Sequence, residues 1–184
     1  PAFTRVTLAD IGVLGDRTVT NVNGDIFFRS HDGIRSYRNA AATQDSPGQN
    51  SISSELRNIF TADSSGQAVD GSAVYFDSRY LMLLWGRPSY LGNQNVYSAI
   101  ASLDFGPVQR NNRANVTSPA YDGIWTGLNF YQIVRGIFSQ RERAFGFVDN
   151  FGTLSLYELR PEKVLDSSFS VNTPIKSVVE TRSF

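Results

Sequence analysis

Asn23-Gly-Asp-Ile-Phe-Phe-Arg-Ser-His-Asp-Gly-Ile-Arg-Ser-Tyr-Arg38 reads as one tight β-hairpin. Asp25 to Ser30 is short, aromatic and free of proline, and Ile34 to Arg38 answers it. Between them Ser30-His-Asp-Gly33 forms a turn with glycine where the backbone needs a positive φ. Upstream, Thr18 to Val22 leads into the hairpin through the Asn23–Gly24 turn.

Two later stretches repeat this plan more loosely. Ala73 to Phe76 is a strand, Asp77-Ser-Arg79 a turn, and Tyr80-Leu-Met-Leu-Leu-Trp85 a strongly apolar return, with Val96 to Phe105 long enough for a third strand. Further on, Tyr121 to Thr126 precedes the strand Tyr131 to Phe138, the turn Ser139 to Glu142 and the return Ala144 to Val148. A second turn, Asp149 to Gly152, leads to Thr153 to Leu159, and Pro161 stops the meander. Polar stretches rich in turn residues, Asn39 to Asn50, Thr61 to Gly71 and Pro107 to Pro119, separate the units. One short helix is expected over Ser53 to Phe60, capped by Ser53 or Ser54, with Ile52, Leu56, Ile59 and Phe60 at helical spacing.

The units therefore cover residues 18–60, 72–105 and 121–160, and 175–184 starts a further strand. Their spacing of roughly fifty residues matches the blade repeat of β-propellers. The expected fold is all-β, with antiparallel propeller-like blades forming part of a propeller and a β-sandwich as the alternative. Because a ring needs about four blades, residues 1–184 read as a single blade region within a longer protein.

Composition narrows the function. The 184 residues are 41% hydrophobic, 12% aromatic and 18% charged, too apolar for disorder and too interrupted for a membrane span. Lys and Arg number 17 against 17 Asp and Glu, a balance that argues against a nucleic-acid partner. Cysteine is absent, which removes disulfides, thiol chemistry and cysteine-based metal sites and suits a reducing compartment. The lone histidine, His31, gives no histidine-rich metal site. No apolar leader opens the chain at Pro1 to Asp10.

Chemistry-bearing patterns are sparse. His31 beside Asp32 could form a base with its orienting carboxylate, but a turn residue beside a turn-forming aspartate explains the pair as well. Ser30 to Tyr37 resembles the Asp-box of sialidase-type propellers but departs from its spacing at Gly33, and Tyr121-Asp-Gly-Ile-Trp125 is a second near match. Glycoside hydrolysis needs two acids about 5–10 Å apart, and Asp45, Glu55, Asp63 and Asp70 are the candidates, mostly in polar stretches. Asp63 to Gly71 loosely resembles a calcium loop without its alternating acids. Gly12-Val-Leu-Gly15 is followed by no phosphate-loop lysine, and Asn115-Val-Thr117 is a glycosylation triplet. No catalytic, cofactor or metal site is expected. Trp85, Tyr90 and Trp125, with Tyr97 and Tyr121, are candidates for stacking on a glycan or anchoring a partner, and Arg141 and Arg143 for rim contacts at a hairpin tip.

Three sets of segments carry a family resemblance: Asn23 to Tyr37; Gly71-Ser-Ala-Val-Tyr-Phe-Asp77 with the Leu81 to Leu84 return; and Tyr121-Asp-Gly-Ile-Trp-Thr-Gly127, Arg141-Glu-Arg-Ala-Phe145 and Glu180-Thr-Arg-Ser-Phe184. In these the chain resembles large structural proteins of tailed bacteriophages, which are several times longer. The resemblance implies a propeller-like region similar to those of short-tailed phage nozzle proteins. It further implies a non-enzymatic role in the virion tail, the alternatives being a carbohydrate-binding or glycoside-cleaving propeller and a cellular protein-binding β-propeller. The implied partners are other virion subunits, including copies of itself, and a host-surface glycan.

Overall fold

The computed structural model describes residues 12–38, 52–53, 56–63, 66–89, 95–106, 120–150, 152–160, 165–168 and 171–174. The opening hairpin forms as its sequence dictates. Strands β1 (Thr20–Val22), β2 (Asp25–Ser30) and β3 (Gly33–Ser36) make a three-stranded antiparallel sheet, with Phe27 opposite both Thr20 and Ser36. Asn23 and Gly24 both take positive φ, at 52° and 80°, the twist a two-residue hairpin loop requires.

A short helix, α1 (Arg57–Ala62), follows. It begins later than the expected Ser53, the Ser53 hydroxyl makes no cap hydrogen bond, and Ser54, the other expected cap, lies outside the described residues. Ser53 Oγ instead accepts the Ile34 backbone N–H at 2.9 Å, holding the segment before the helix to β3. Leu56 and Phe60 are buried, with Ile52 and Ile59 packed beside them, so the helical spacing defines the inward face.

The rest is one six-stranded antiparallel meander: β4 (Ala73–Phe76), β5 (Arg79–Pro88), β6 (Asn95–Asp104), β7 (Ala120–Phe138), β8 (Arg141–Asn150) and β9 (Thr153–Leu159). A separate hairpin, β10 (Leu165–Ser168) with β11 (Val171–Pro174), comes after it and had no counterpart in the sequence reading. The expected strand at 175–184 lies outside the described residues. The second and third units are joined, because β6 pairs with β7 from Tyr97 opposite Phe130 to Asp104 opposite Ala120. No sheet closes on itself among the described residues.

β5 explains the architecture. Tyr80, Met82 and Leu84 face one core, with Val22, Phe27, Ile34 and Phe60 from the first sheet and α1, and with Ala99, Ala101 and Leu103 of β6. Leu81 and Leu83 face a second core with Val74, Tyr97, Ile100, Phe130, Ile133 and Val148. A strand buried on both faces reads as a continuous apolar run, which is what Tyr80 to Leu84 is. Each such side chain contributes about 2 kcal/mol by burial, so the strand commits the chain to three layers. In the first core Phe27 meets the Phe105 ring edge-on at 5.2 Å and 84°.

The third layer exists because β7 bends. The expected strands at Tyr121 and Tyr131 are one 19-residue strand. Its register against β6 shifts between Ser102 and Leu103 and again between Tyr97 and Ala99, and against β8 between Phe130 and Gln132. Gly123 and Gly127, at φ 132° and 121°, lie at the first two irregularities. The second half of β7 thus folds back across β4. There the Ile133 N–H donates to Ser72 Oγ at 2.9 Å and Arg135 Nη1 to the Tyr75 carbonyl at 3.0 Å. Gly146 makes room for the Phe130 ring on the inner face of β7 and β8: a β-carbon there would lie 2.6 Å from Phe130 Cε1.

The first and middle layers are riveted by charge. Arg29 of β2 is fully buried, and its Nη1 lies 2.8 Å from Oδ2 of Asp63, just past α1. Arg29 Nη2 donates to the Asp63 carbonyl at 3.2 Å, the guanidinium lies 5.7 Å from the Phe60 ring centroid, and Nε has no hydrogen-bond partner. Asp63 Oδ1 accepts the Trp85 N–H at 2.7 Å. That bond fixes Trp85 at φ 58°, rare for a bulky residue, between the paired residues Leu84 and Gly86 of β5.

Two outcomes follow from this packing. Asp63→Ala strands the buried guanidinium and lowers unfolding free energy by about 3–5 kcal/mol in urea titration, while Arg29→Met with Asp63→Leu restores most of it. Gly146→Ala drives Phe130 from its site and lowers stability by about 1–3 kcal/mol in the same measurement.

Candidate interaction surface

The bend in β7 gives β7–β9 an inner and an outer face. Cross-strand partners share a face, so the register assigns each residue. Ile133, Ala144 and Val148 point inward and are buried. Val134 lies opposite Phe145, Phe147 opposite Leu156, and Leu154 opposite Asp149, all on the outer side. Leu154 is 56% exposed, Leu156 59% and Phe138 62%, while Val134, Phe145 and Phe147 are half-buried. An apolar face of this extent on a sheet marks a contact surface.

One end of that face is charged. The Ser139–Gln140 turn brings Arg141 and Arg143 beside the end of β9, where they line a shallow cleft of about 200 Å³ with Glu158, Arg160 and Phe76. Glu158 accepts from Arg143 Nη1 at 2.9 Å and from Arg160 Nη2 at 2.6 Å. The Arg160 hydrogen bond, with the charges of Arg143 and Arg160, outweighs partial burial and holds the Glu158 carboxyl below its ordinary value. Arg143 also stacks 5.6 Å from the Phe138 ring centroid, and Glu142 pairs with Arg135 at 3.2 Å. Among the described residues, the cleft lining carries three arginines, Arg141, Arg143 and Arg160, against two acids, Glu142 and Glu158.

The structure places Arg141 and Arg143 in the lining of the same cleft, next to the hairpin turn at Ser139 and Gln140. The tryptophans are not gathered with them. Trp125 is opposite Ile100 on β7 and Trp85 lies on β5, with β6 between them; both are more than a third exposed. Tyr90 lies outside the described residues. The Tyr97 ring is buried and its hydroxyl, pushed up by burial, donates to the Gln67 carbonyl, so it serves the core. Tyr121 is placed in β7 by its backbone.

The candidate acids do other work. Asp63 is buried against Arg29, and Asp70 accepts from Asn95 Nδ2 at 2.9 Å. Asp45, Glu55 and the Asn115 triplet lie outside the described residues. Asp32 belongs to Arg35 rather than to His31: Arg35 Nη2 reaches both carboxylate oxygens, at 3.0 and 3.1 Å, and Ser30 Oγ donates to Oδ1 at 3.0 Å. Burial alone would raise the Asp32 carboxyl, but these hydrogen bonds and the Arg35 charge hold it below its usual range. No cluster of three or more His, Asp or Glu suited to a metal occurs among the described residues.

Sequence reasoning missed the outer apolar face. Its signal was Ala144-Phe-Gly-Phe-Val148, where large residues alternate with small ones. The small ones mark the tightly packed inner side. Scanned against protein-family models, curated proteins and solved structures, the chain matches none. Among the described residues no helix is long and apolar enough to cross a membrane.

Glu158 supplies a check on this corner. Its carboxyl titrates below the ordinary value, so its pairing stabilises the fold above that range and is lost as pH falls through the folded value. Arg160→Ala raises the midpoint while Arg143 still holds it below the ordinary value, read by carbon-13 NMR of the Glu158 carboxyl.

Proposed function

We propose that this chain is a non-enzymatic structural module of a bacteriophage virion, tail-associated and working through contacts between subunits. The observation that carries this reading is the open outer face of β7–β9. Two apolar cores already separate three layers, and a third apolar face of the same kind, with Phe145, Phe147, Leu154 and Leu156, stands without a layer over it among the described residues.

Such stacking is how propeller blades bury faces they cannot bury alone. In this reading the first sheet and the two halves of the bent meander act as successive propeller-like blades. The outer face receives the next layer, from the same polypeptide or from a neighbouring virion subunit. The resemblance of Asn23 to Tyr37 and Tyr121 to Gly127 to phage structural proteins supports the assignment to a particle assembled in the bacterial cytoplasm. Arg141, Arg143 and Arg160 form a positive rim on which a partner of opposite charge aligns.

Immunogold labelling of purified particles, with antibody raised against this chain, tests the role. Gold on the tails of the encoding phage is the expected result. Particles without label, alongside abundant antigen in the infected-cell lysate, would overturn it.

A further inference from the structure

Asn23-Gly24 is the one Asn-Gly pair in the sequence, and it forms the exposed turn between β1 and β2. Such a pair carries its own chemistry. The Gly24 backbone nitrogen, unhindered by a side chain, can attack the amide carbon of the Asn23 side chain. The new N–C bond closes a five-membered imide, the nitrogen gives up its proton, and the side-chain amide leaves as ammonia. Water then opens the imide at one carbonyl or the other, giving aspartate or isoaspartate. Water is the sole co-reactant.

The folded turn opposes this attack. At φ 52° Asn23 lies in the left-handed basin, where ψ of about +30 to +60° turns the next nitrogen to the far side of the Cα–C bond from Cβ. Ring closure needs that nitrogen eclipsed with Cβ, most of a half-turn of ψ away. The pairing of Val22 with Asp25 pins the chain on both sides of the turn. The reacting groups are held as well. The Gly24 N–H donates to Asn21 Oδ1 at 3.1 Å, and the Gly24 carbonyl accepts from Arg38 Nη2 at 3.1 Å. Asn23 Oδ1 accepts from the Tyr75 hydroxyl at 3.2 Å, which ties the turn to β4.

We propose that Asn23 is a deamidation site gated by the hairpin, closed in the folded chain and reactive whenever β1 and β2 part. Isoaspartate routes the main chain through the side-chain carbon and lengthens the turn by one backbone atom. A two-residue loop then no longer sets the Val22–Asp25 register. Each reaction thereby turns a transient opening of the first sheet into a lasting one. The inference rests on the turn alone and is independent of the virion reading.

The full chain is incubated at mildly alkaline pH, folded in buffer and unfolded in urea. The tryptic peptide Thr18 to Arg29 is then followed by mass spectrometry for replacement of the Asn23 NH2 by OH. The reaction in buffer is at least about tenfold slower than in urea, because its rate follows the open fraction. Phe27→Ala removes a buried ring from the first core, so it speeds the reaction in buffer several-fold and leaves the urea rate unchanged. Equal rates in buffer and urea overturn the inference, as does an absence of reaction in urea. A buffer rate indifferent to Phe27→Ala also overturns it, since the sheet would then not be the gate.

Discussion

A single buried charge pair sets how the first sheet meets the rest. Arg29 and Asp63 lie in the interior, where neither charge is tolerable alone. Asp63 can reach Arg29 only if α1 ends where it does, and its second oxygen then has one donor to satisfy, the Trp85 N–H. One interaction thereby fixes a hairpin, a helix end and a left-handed residue in the central strand. The unsatisfied Arg29 Nε shows that the fit is not complete. Buried ion pairs trade stability for a defined arrangement, and here the arrangement is the relative placement of two layers.

From that placement the remaining geometry follows. With one side of β5 closed by the first sheet and α1, Leu81 and Leu83 need cover on the other. The chain supplies it by bending its longest strand, using Gly123, Gly127 and the register shifts of β7. Covering one face of β5 with β7–β9 leaves those strands with an outer face of their own. The apolar outer surface is thus the remainder of a stacking scheme in which every added layer brings a new face to cover.

Much of this was legible in the residues. The hairpin at Asn23 to Tyr37, the Tyr80 to Leu84 strand and the meander from Tyr131 to Leu159 follow from alternation and turn chemistry, which act over a few neighbours. Ser139 and Gln140 were read as a turn although neither is glycine, and both take positive φ, at 51° and 61°. What escaped were long-range pairings. Nothing local says that β6 finds β7 across the Pro107 to Pro119 stretch, or that Arg29 finds Asp63. The site divided the same way: Arg141 and Arg143 are two residues apart and fall on one strand face, whereas the surface made by Phe147 and Leu156 depends on a strand register.

The order of the layers along the chain bears on how the molecule is made. Apart from Ile124 at its margin, the first core draws only on residues up to Phe105, so it can close on a nascent chain before β7 has left the ribosome. At that moment Leu81, Leu83 and Ile100 face water, since their cover, Phe130, Ile133 and Val148, has yet to be synthesised. A two-layer species formed at that stage would carry an uncovered apolar face. That face would be covered once β7 turns back at Gly127.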